Sequence, residues 1–176
     1  NLGTDGAPAL ALGVDPADPG VMDRPPRPVT ERVITAAMWR GIFFVGAIMA
    51  AGTLYVLDAA LPGGLVPGEG TLRHAQTMAF TVLMFFQLFN LFNARSDGQT
   101  AFRGLFANRW LLAAIALSVI LQVCVVHAPW LQRAFSTESL SASDWWRSVA
   151  VASTVLWVRE LQKALTRATR WRRPAR

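Results

Sequence analysis

Long apolar blocks alternate with short polar segments along most of the chain. The two cleanest blocks, residues 41–57 and 110–126, contain no formally charged side chain. Blocks of this length approach the roughly 20 residues that a helix needs to cross about 30 Å of hydrocarbon. The pattern predicts an all-α membrane protein, a polytopic bundle of about four complete transmembrane helices plus the end of a fifth, and it carries no β signal.

The whole chain, residues 1–176, is predicted to form one transmembrane domain without a soluble second domain. In order, we predict the end of a membrane helix at 1–12, a cytoplasmic loop at 13–32, membrane spans at 33–57, 74–94, 108–127 and 145–162, and a basic cytoplasmic tail at 163–176. The first loop is predicted from its prolines and acids. The stretch between the last two spans is predicted to be an interfacial loop.

Basic residues are distributed unevenly about the predicted spans, and the chain has a formal net charge of +6. Three of the 17 Lys and Arg residues, namely Arg73, Arg133 and Arg147, fall on one side of the bilayer, and the other 14 fall on the opposite side. Because cytoplasmic loops are enriched in Lys and Arg, this bias predicts a cytoplasmic C-terminus. Membrane topology explains the charge, so we expect the lipid bilayer, and not nucleic acid, as the partner.

Conventional site chemistry is sparse in this sequence. Its single cysteine, Cys124, excludes an internal disulfide and a cysteine-based zinc site. There is no Gly-rich phosphate loop, Ser/His/Asp set or metal-binding His/Cys spacing, so no catalytic or cofactor-binding residue is predicted. The chain begins at Asn1 without a signal peptide, and we expect that an N-terminal part precedes it.

Three polar residues at the start of the chain are candidate cation ligands. Asn1, Thr4 and Asp5 stand at positions i, i+3 and i+4, so on a helix they share one face. Grouped oxygen donors suit a hard cation, and a carboxylate inside a membrane helix is costly unless it has a function. The spacing alone leaves an alternative open, in which Thr4 or Asp5 caps a short helix that begins at Ala7.

The first 27 residues, NLGTDGAPALALGVDPADPGVMDRPPR, carry a specific resemblance. They are similar to the sixth membrane helix and the following cytoplasmic loop of P-type ATPases of the calcium-pump and sodium/potassium-pump branch. The similarity continues at matching spacing through the remaining four helices of that family and covers essentially the whole chain. It implies that this chain is the C-terminal transmembrane region of a calcium-pump-like cation-transporting ATPase.

The resemblance implies roles for several residues. Asn1, Thr4 and Asp5 match the Asn-x-x-Thr-Asp positions that bind transported ions in calcium pumps of the family, and the proline-rich loop is thought to couple domain motions to the helices. The phosphorylated aspartate and the Mg-ATP site would lie in domains that precede this chain. The expected partners are therefore the N-terminal helices and cytoplasmic domains of the same pump.

Gln87 and Asn90 form a polar stripe on the phenylalanine-rich segment 74–94. One interpretation is that these amides bond neighbouring helices, at about 1 kcal/mol each. The resemblance suggests another, because two-site calcium pumps have a glutamate ligand where Gln87 stands. Since ligand charge tunes Ca²⁺ affinity, we expect a single-site pump for Ca²⁺ or Mn²⁺, with Gln87 and Asn90 as possible ligands.

The predicted function is the ion-binding and scaffolding part of an ATP-driven cation pump, in a bacterial plasma membrane. Two alternatives remain open, namely an ATP-independent multi-pass carrier or channel and a structural membrane subunit. An upstream Asp-Lys-Thr-Gly-Thr motif in the same reading frame would separate the pump from both. His74 and His127, near the external ends of two spans, are expected to make interfacial hydrogen bonds.

Overall fold

The computed structural model describes residues 2–15, 34–66, 68–95, 100–101 and 108–171, and it describes the side chains of these residues except 2–5, 37 and 167–171. Every regular element in these ranges is an α-helix. The helices are α1 (Leu2–Gly13), α2 (Ala36–Ala59), α3 (Leu72–Ala94), α4 (Arg109–His127), α5 (Pro129–Phe135) and α6 (Ala142–Trp171). The predicted all-α class is confirmed for this part of the chain.

A polar residue caps the start of each of the three long apolar helices α2, α3 and α4. The caps are Thr35 for α2, Thr71 for α3 and Asn108 for α4, and the side-chain oxygen of each accepts a hydrogen bond from the backbone N–H three residues on, at 3.2, 3.0 and 3.0 Å. Each bond satisfies one of the N–H groups that a helix start leaves without an intrahelical partner.

In the part of the chain that the structure describes, three helices are long and apolar enough to cross a membrane by length and composition, namely α2, α3 and α4. They contain 24, 23 and 19 residues. At 1.5 Å per residue they are roughly 36, 34 and 28 Å long, close to the thickness of a bilayer core. Helix α6 is longer, at 30 residues, but Arg147, Arg159 and Glu160 make it more polar than the other three.

Helices α2, α3 and α6 pack around one apolar core. Its buried side chains are Val56, Met78, Val82, Phe86, Val126, Leu140, Ala152 and Val155. Gly52 of α2 lies against the Phe86 ring. A Cβ at that position would be only 2.5 Å from the ring. The absence of a side chain at Gly52 therefore lets α2 approach α3 closely enough to bury Phe86 completely.

Helix α1 packs elsewhere, mainly against α4. The buried residues of this contact are Ala11, Leu111 and Ala114, and Ala7, Leu91 and Ile115 pack around them. In the described part of the chain α1 touches α4 and α3 but neither α2 nor α6. The molecule thus consists of a three-helix core and a smaller α1–α4 contact beside it.

Two features of the helices differ from the prediction. Part of the expected interfacial loop is the short helix α5, which Pro129 starts at a position suited to proline and which Ser136, with a φ of 55°, ends. Helix α6 continues beyond residue 162 to Trp171, into the expected basic tail, because the Ala, Leu, Lys and Arg residues there are good helix formers. Residues 172–176 lie outside the described part.

The polar contacts between helices cluster at the two ends of the bundle. At one end Asp15, Arg95 and Asn108 meet, and Glu160 accepts a hydrogen bond from the Ala101 N–H. The opposite end holds the contacts of Thr71 with Glu138 and of His74 with Asp144.

Candidate functional site

Two of the three predicted N-terminal ligands, Thr4 and Asp5, belong to the first turns of α1. Asn1 lies outside the described residues, as do the side chains of Thr4 and Asp5. The backbone is helical from Leu2 onward, so Thr4 and Asp5 occupy consecutive helical positions. The interpretation of Thr4 or Asp5 as the cap of a helix starting at Ala7 is wrong, because both lie inside the helix.

Pro8 changes the hydrogen bonding of this segment. It is a buried residue inside α1 and has no backbone N–H. In a regular helix the N–H of residue 8 would bond the carbonyl of residue 4. The Thr4 carbonyl therefore lacks its usual helical donor, which adds a backbone oxygen to the acceptors available in this part of α1.

Gln87 and Asn90 lie on α3, and both are partly buried. Gln87 precedes Leu91 by one helical turn, so it shares the face of α3 that packs against the α1–α4 contact. Neither amide has a hydrogen bond to any residue that the structure describes. The amide of this helix that does bond a neighbouring helix is Asn93, whose Nδ2 donates to the Val155 carbonyl of α6 at 3.4 Å.

The ends of α1 and α3 are in contact, so the depths of their candidate residues in the bundle can be compared. Asp15, two residues after α1, contacts Arg95, the residue that ends α3. Counting back from this contact, Asp5 lies roughly 15 Å and Gln87 roughly 12 Å up their helices at 1.5 Å per residue. The two positions are thus within about one helical turn of the same depth.

Asp15 is the centre of the contact at this end. Its carboxylate accepts hydrogen bonds from Arg95 Nε at 2.9 Å, Arg95 Nη2 at 3.3 Å and Asn108 Nδ2 at 3.0 Å. Burial raises the pKa of Asp15, but the hydrogen bonds from Arg95 and Asn108 and the charge of Arg95 outweigh it and hold the pKa below its ordinary value. The carboxylate is therefore ionised at neutral pH.

The opposite end of the bundle contains both histidines. His74 Nε2 is 3.2 Å from Asp144 Oδ2, and His127 Nε2 accepts a hydrogen bond from Trp145 Nε1 at 3.3 Å. Both histidines thus make hydrogen bonds, as predicted, and their interfacial position stays a prediction. Burial raises the pKa of Asp144, but hydrogen bonds from Ser141 and His74 outweigh it, so the net pKa is below the ordinary value.

Sequence reasoning missed two polar contacts between helices. Asn108 comes two residues before the apolar run that begins at Trp110, a pattern typical of a helix cap, and its Nδ2 also donates to Asp15 and to the Ala11 carbonyl. Gln122 donates to the Thr81 hydroxyl at 3.0 Å, and both side chains are buried between α4 and α3. Nothing in the local sequence around Gln122 indicates its partner. Within the described residues, no group of three or more His, Cys, Asp or Glu side chains could hold a metal ion.

The chain is similar to known proteins along nearly its whole length. Residues 1–165 match the family model described as cation transporting ATPase, C-terminus. The chain is 37% identical over 164 residues to calcium-transporting ATPase 1 of Yarrowia lipolytica and 38% identical over 164 residues to calcium-transporting ATPase type 2C member 2 of Mus musculus. It is also 37% identical over 175 residues to calcium-transporting ATPase 1 of Bacillus cereus.

The chain spans only a small part of these relatives. Each alignment covers 93% of this chain, but 17% of the Yarrowia and Mus proteins and 20% of the Bacillus protein. The similarity therefore concerns one region of much longer proteins.

Proposed function

Because the chain belongs to the cation-transporting ATPase family, we propose that it is the membrane-embedded, ion-binding and scaffolding part of an ATP-driven cation pump. The observation that carries the proposal is the family match over residues 1–165, which includes the segment with Thr4 and Asp5. The names of the relatives favour Ca²⁺ as the transported ion. Mn²⁺ is a second candidate, since it too is a hard divalent cation that prefers oxygen ligands. Mg-ATP would be bound and hydrolysed by domains outside this chain, as in a P-type ion-translocating ATPase.

We propose four complete spans in this chain, formed by α2, α3, α4 and α6. The polar contacts at the two ends of the bundle support this, since Glu160 of α6 lies at the end with Asp15, whereas Asp144 lies at the opposite end. Helix α6 thus runs between the same two ends as α3. By the distribution of Lys and Arg, the end with Asp15 faces the cytoplasm, which suits a bacterial plasma membrane.

The proposed cation ligands are the side chains of Asn1, Thr4 and Asp5. Carboxylate, hydroxyl and amide oxygens are ligands that a hard cation such as Ca²⁺ prefers. The carbonyl of Thr4, which Pro8 leaves without a helical donor, is available beside them. A membrane-buried carboxylate is costly unless it meets a counter-charge, and a transported cation supplies that charge.

Gln87 is proposed to limit the number of ions. It is at about the same depth as Asp5, on the face of α3 that packs against the α1–α4 contact. A neutral amide stabilises a divalent cation less than a carboxylate does, so the charge on this level of the bundle suits one divalent ion better than two. Gln87 and Asn90 then act as neutral neighbours or weak ligands of a single site.

The ligand assignment is tested by Asp5→Asn in the complete pump polypeptide. We expect the variant to lose Ca²⁺-dependent phosphorylation by ATP, because the amide cannot neutralise the ion. The matched control is Asp58→Asn, which removes an acid that contacts the Val66 N–H in the loop after α2, far from α1 in sequence. Full Ca²⁺-dependent phosphorylation of Asp5→Asn would refute the assignment.

The ratio of Ca²⁺ transported to ATP hydrolysed tests the single-site proposal. Transport assays in vesicles should give one Ca²⁺ per ATP hydrolysed by the wild-type pump, and a ratio of two would contradict it. Gln87→Glu, which adds a charge at the depth of Asp5, should raise Ca²⁺ affinity or the number of bound ions. Gln76→Glu, an exposed position on the same helix, serves as the control.

A further inference from the structure

The contact at the cytoplasmic end of α1 joins three helices through one carboxylate. The Asp15 carboxylate accepts hydrogen bonds from Nε and Nη2 of Arg95, the residue that ends α3. It also accepts one from Nδ2 of Asn108, the cap of α4. The side chains of Asp15 and Arg95 are only 12% and 11% exposed. Bonds between charged groups that are largely shielded from water are stronger than those on an open surface.

Asn108 uses all of its hydrogen-bonding groups in this contact. Its Oδ1 accepts from the Leu111 N–H and so caps α4, and its Nδ2 donates both to Asp15 and to the Ala11 carbonyl at 2.8 Å. The Ala11 carbonyl is among the last four of α1, which have no intrahelical donor. Asn108 therefore satisfies the end of one helix while it starts another.

The apolar part of the α1–α4 contact is smooth on the α1 side. Ala7 and Ala11 offer only methyl groups to Leu111, Ala114 and Ile115, while the neighbouring Leu10 of α1 is 78% exposed. Methyl groups interlock less than the Phe, Met and Val side chains of the three-helix core. Within this chain, packing therefore resists sliding or rotation of α1 weakly, and the bonds of Asp15 add a directed constraint on its position.

The connection between α3 and α4 is held from the other side by α6. The Glu160 carboxylate accepts a hydrogen bond from the Ala101 N–H at 2.9 Å and pairs with Lys163 at 3.4 Å. Arg95 and Asn108, at the two ends of this connection, hold Asp15. The position of the end of α1 is therefore fixed relative to α3 and α6 as well as to its immediate neighbour α4.

We propose that Asp15 is a positioning residue, which through Arg95 and Asn108 sets the height and rotation of α1 and thereby the affinity of the ion ligands on that helix. The inference rests on the proposed function of Thr4 and Asp5. Asp15 lies roughly 15 Å from Asp5 along the axis of α1, which is too far for Asp15 to bind the same ion. Ligand groups must be held to within about 0.5 Å, so a small shift of α1 weakens ion binding.

The test measures the Ca²⁺ concentration that half-saturates phosphorylation by ATP in the complete pump. Asp15→Ala and Arg95→Ala should each raise this concentration about tenfold, equivalent to about 1.4 kcal/mol, while the maximal phosphorylation level stays unchanged. Asp15→Asn, which keeps the size and loses the charge, should raise it less. The double variant Asp15→Ala with Arg95→Ala should match Asp15→Ala alone, because the proposed role of Arg95 acts through Asp15.

Glu138→Ala is the matched control. Its carboxylate accepts a hydrogen bond from Thr71 at 2.8 Å at the opposite end of the bundle, away from α1. This variant should leave the half-saturating Ca²⁺ concentration unchanged. A purely structural role of Asp15 would lower the phosphorylation level at all Ca²⁺ concentrations without moving the half-saturation point.

The possible failures are distinguishable. A wild-type pump without Ca²⁺-dependent phosphorylation would refute the proposed function itself. An active wild type, together with unchanged half-saturation in Asp15→Asn and Arg95→Ala, would overturn the positioning role. Additive effects of Asp15→Ala and Arg95→Ala would overturn it as well. If Asp15→Ala does not fold, Asp15→Asn and Arg95→Lys decide the question by the same readout.

Discussion

The three-helix core and the α1–α4 contact are stabilised in different ways. The core of α2, α3 and α6 buries large side chains such as Phe86 and Met78. In the α1–α4 contact, α1 contributes the methyl groups of Ala7 and Ala11, and the contact ends in the charged pair of Asp15 with Arg95. Interlocked packing defines one region, and a few directed bonds define the other.

This difference fits the roles proposed for the two regions. Close-packed cores are rigid and tolerate little change in volume. A helix held by small side chains and a few polar bonds at one end can shift at lower cost, as an ion-binding helix in a pump must do when access alternates. The core should therefore be sensitive to changes in side-chain volume, and the α1–α4 contact to changes in charge.

The largest effect on stability is expected from Phe86→Ala. The ring is fully buried, so its loss leaves a cavity in the core and should lower the free energy of unfolding by about 3 kcal/mol. Phe80→Ala on the same helix is the control, since Phe80 is 39% exposed and should cost far less. Titration of the complete protein in micelles with a denaturing detergent measures both. Equal losses would contradict the assignment of the core.

A smaller loss is expected from adding a methyl group to α2. Gly52→Ala places a Cβ against the Phe86 ring and should lower the free energy of unfolding by about 1–3 kcal/mol through overpacking. Gly46→Ala, one and a half turns earlier, meets no atom within 4 Å and should be neutral or slightly stabilising. The same detergent titration compares the two variants. A harmless Gly52→Ala would show that α2 and α3 are not closely packed there.

The charged contact gives a prediction on pH. The pKa of Asp15 is lowered in the folded protein, so its ionised form contributes stability above the pKa of an unfolded aspartate, about 3.9. That contribution should be constant from pH 8 to pH 5 and should be lost as the pH falls below about 4 through the lowered folded pKa. The midpoint temperatures for thermal inactivation of the wild type and of Asp15→Asn should therefore become equal only in strong acid. Convergence near pH 6 would contradict the ionised contact.

The smallest effect is expected from the buried pair of Gln122 and Thr81. Gln122→Leu removes one hydrogen bond between α4 and α3, which within a membrane is worth about 1 kcal/mol or less. The midpoint temperature of thermal inactivation should fall slightly, and the half-saturating Ca²⁺ concentration should not change. A large change in that Ca²⁺ concentration would show that this pair also acts on the ion site.

Much of the fold could be predicted from apolar runs. The helices at 33–57, 74–94 and 108–127 were expected because uncharged runs of that length have few alternatives, and α2, α3 and α4 occur there. The short α5 was missed because a seven-residue helix leaves no periodic pattern. The extension of α6 into the basic tail was missed because its polar residues suggested a solvated end, although they favour a helix.

The candidate site was only partly accessible to sequence reasoning. Thr4 and Asp5 stand out because polar residues are rare in a membrane helix, and Gln87 for the same reason. The partners of Asp15 did not stand out, since Arg95 and Asn108 follow it by 80 and 93 residues. Contacts over such separations depend on how whole helices pack, and no local pattern encodes them.

The most direct test of the account is equilibrium binding of radioactive Ca²⁺ to the purified complete pump. The account predicts one bound ion in the wild type, none in Asp5→Asn, and one ion bound about tenfold more weakly in Asp15→Ala. Phe80→Ala should bind as the wild type does. Unchanged binding in Asp5→Asn would contradict the claim that α1 carries the ion ligands beside a bracing core.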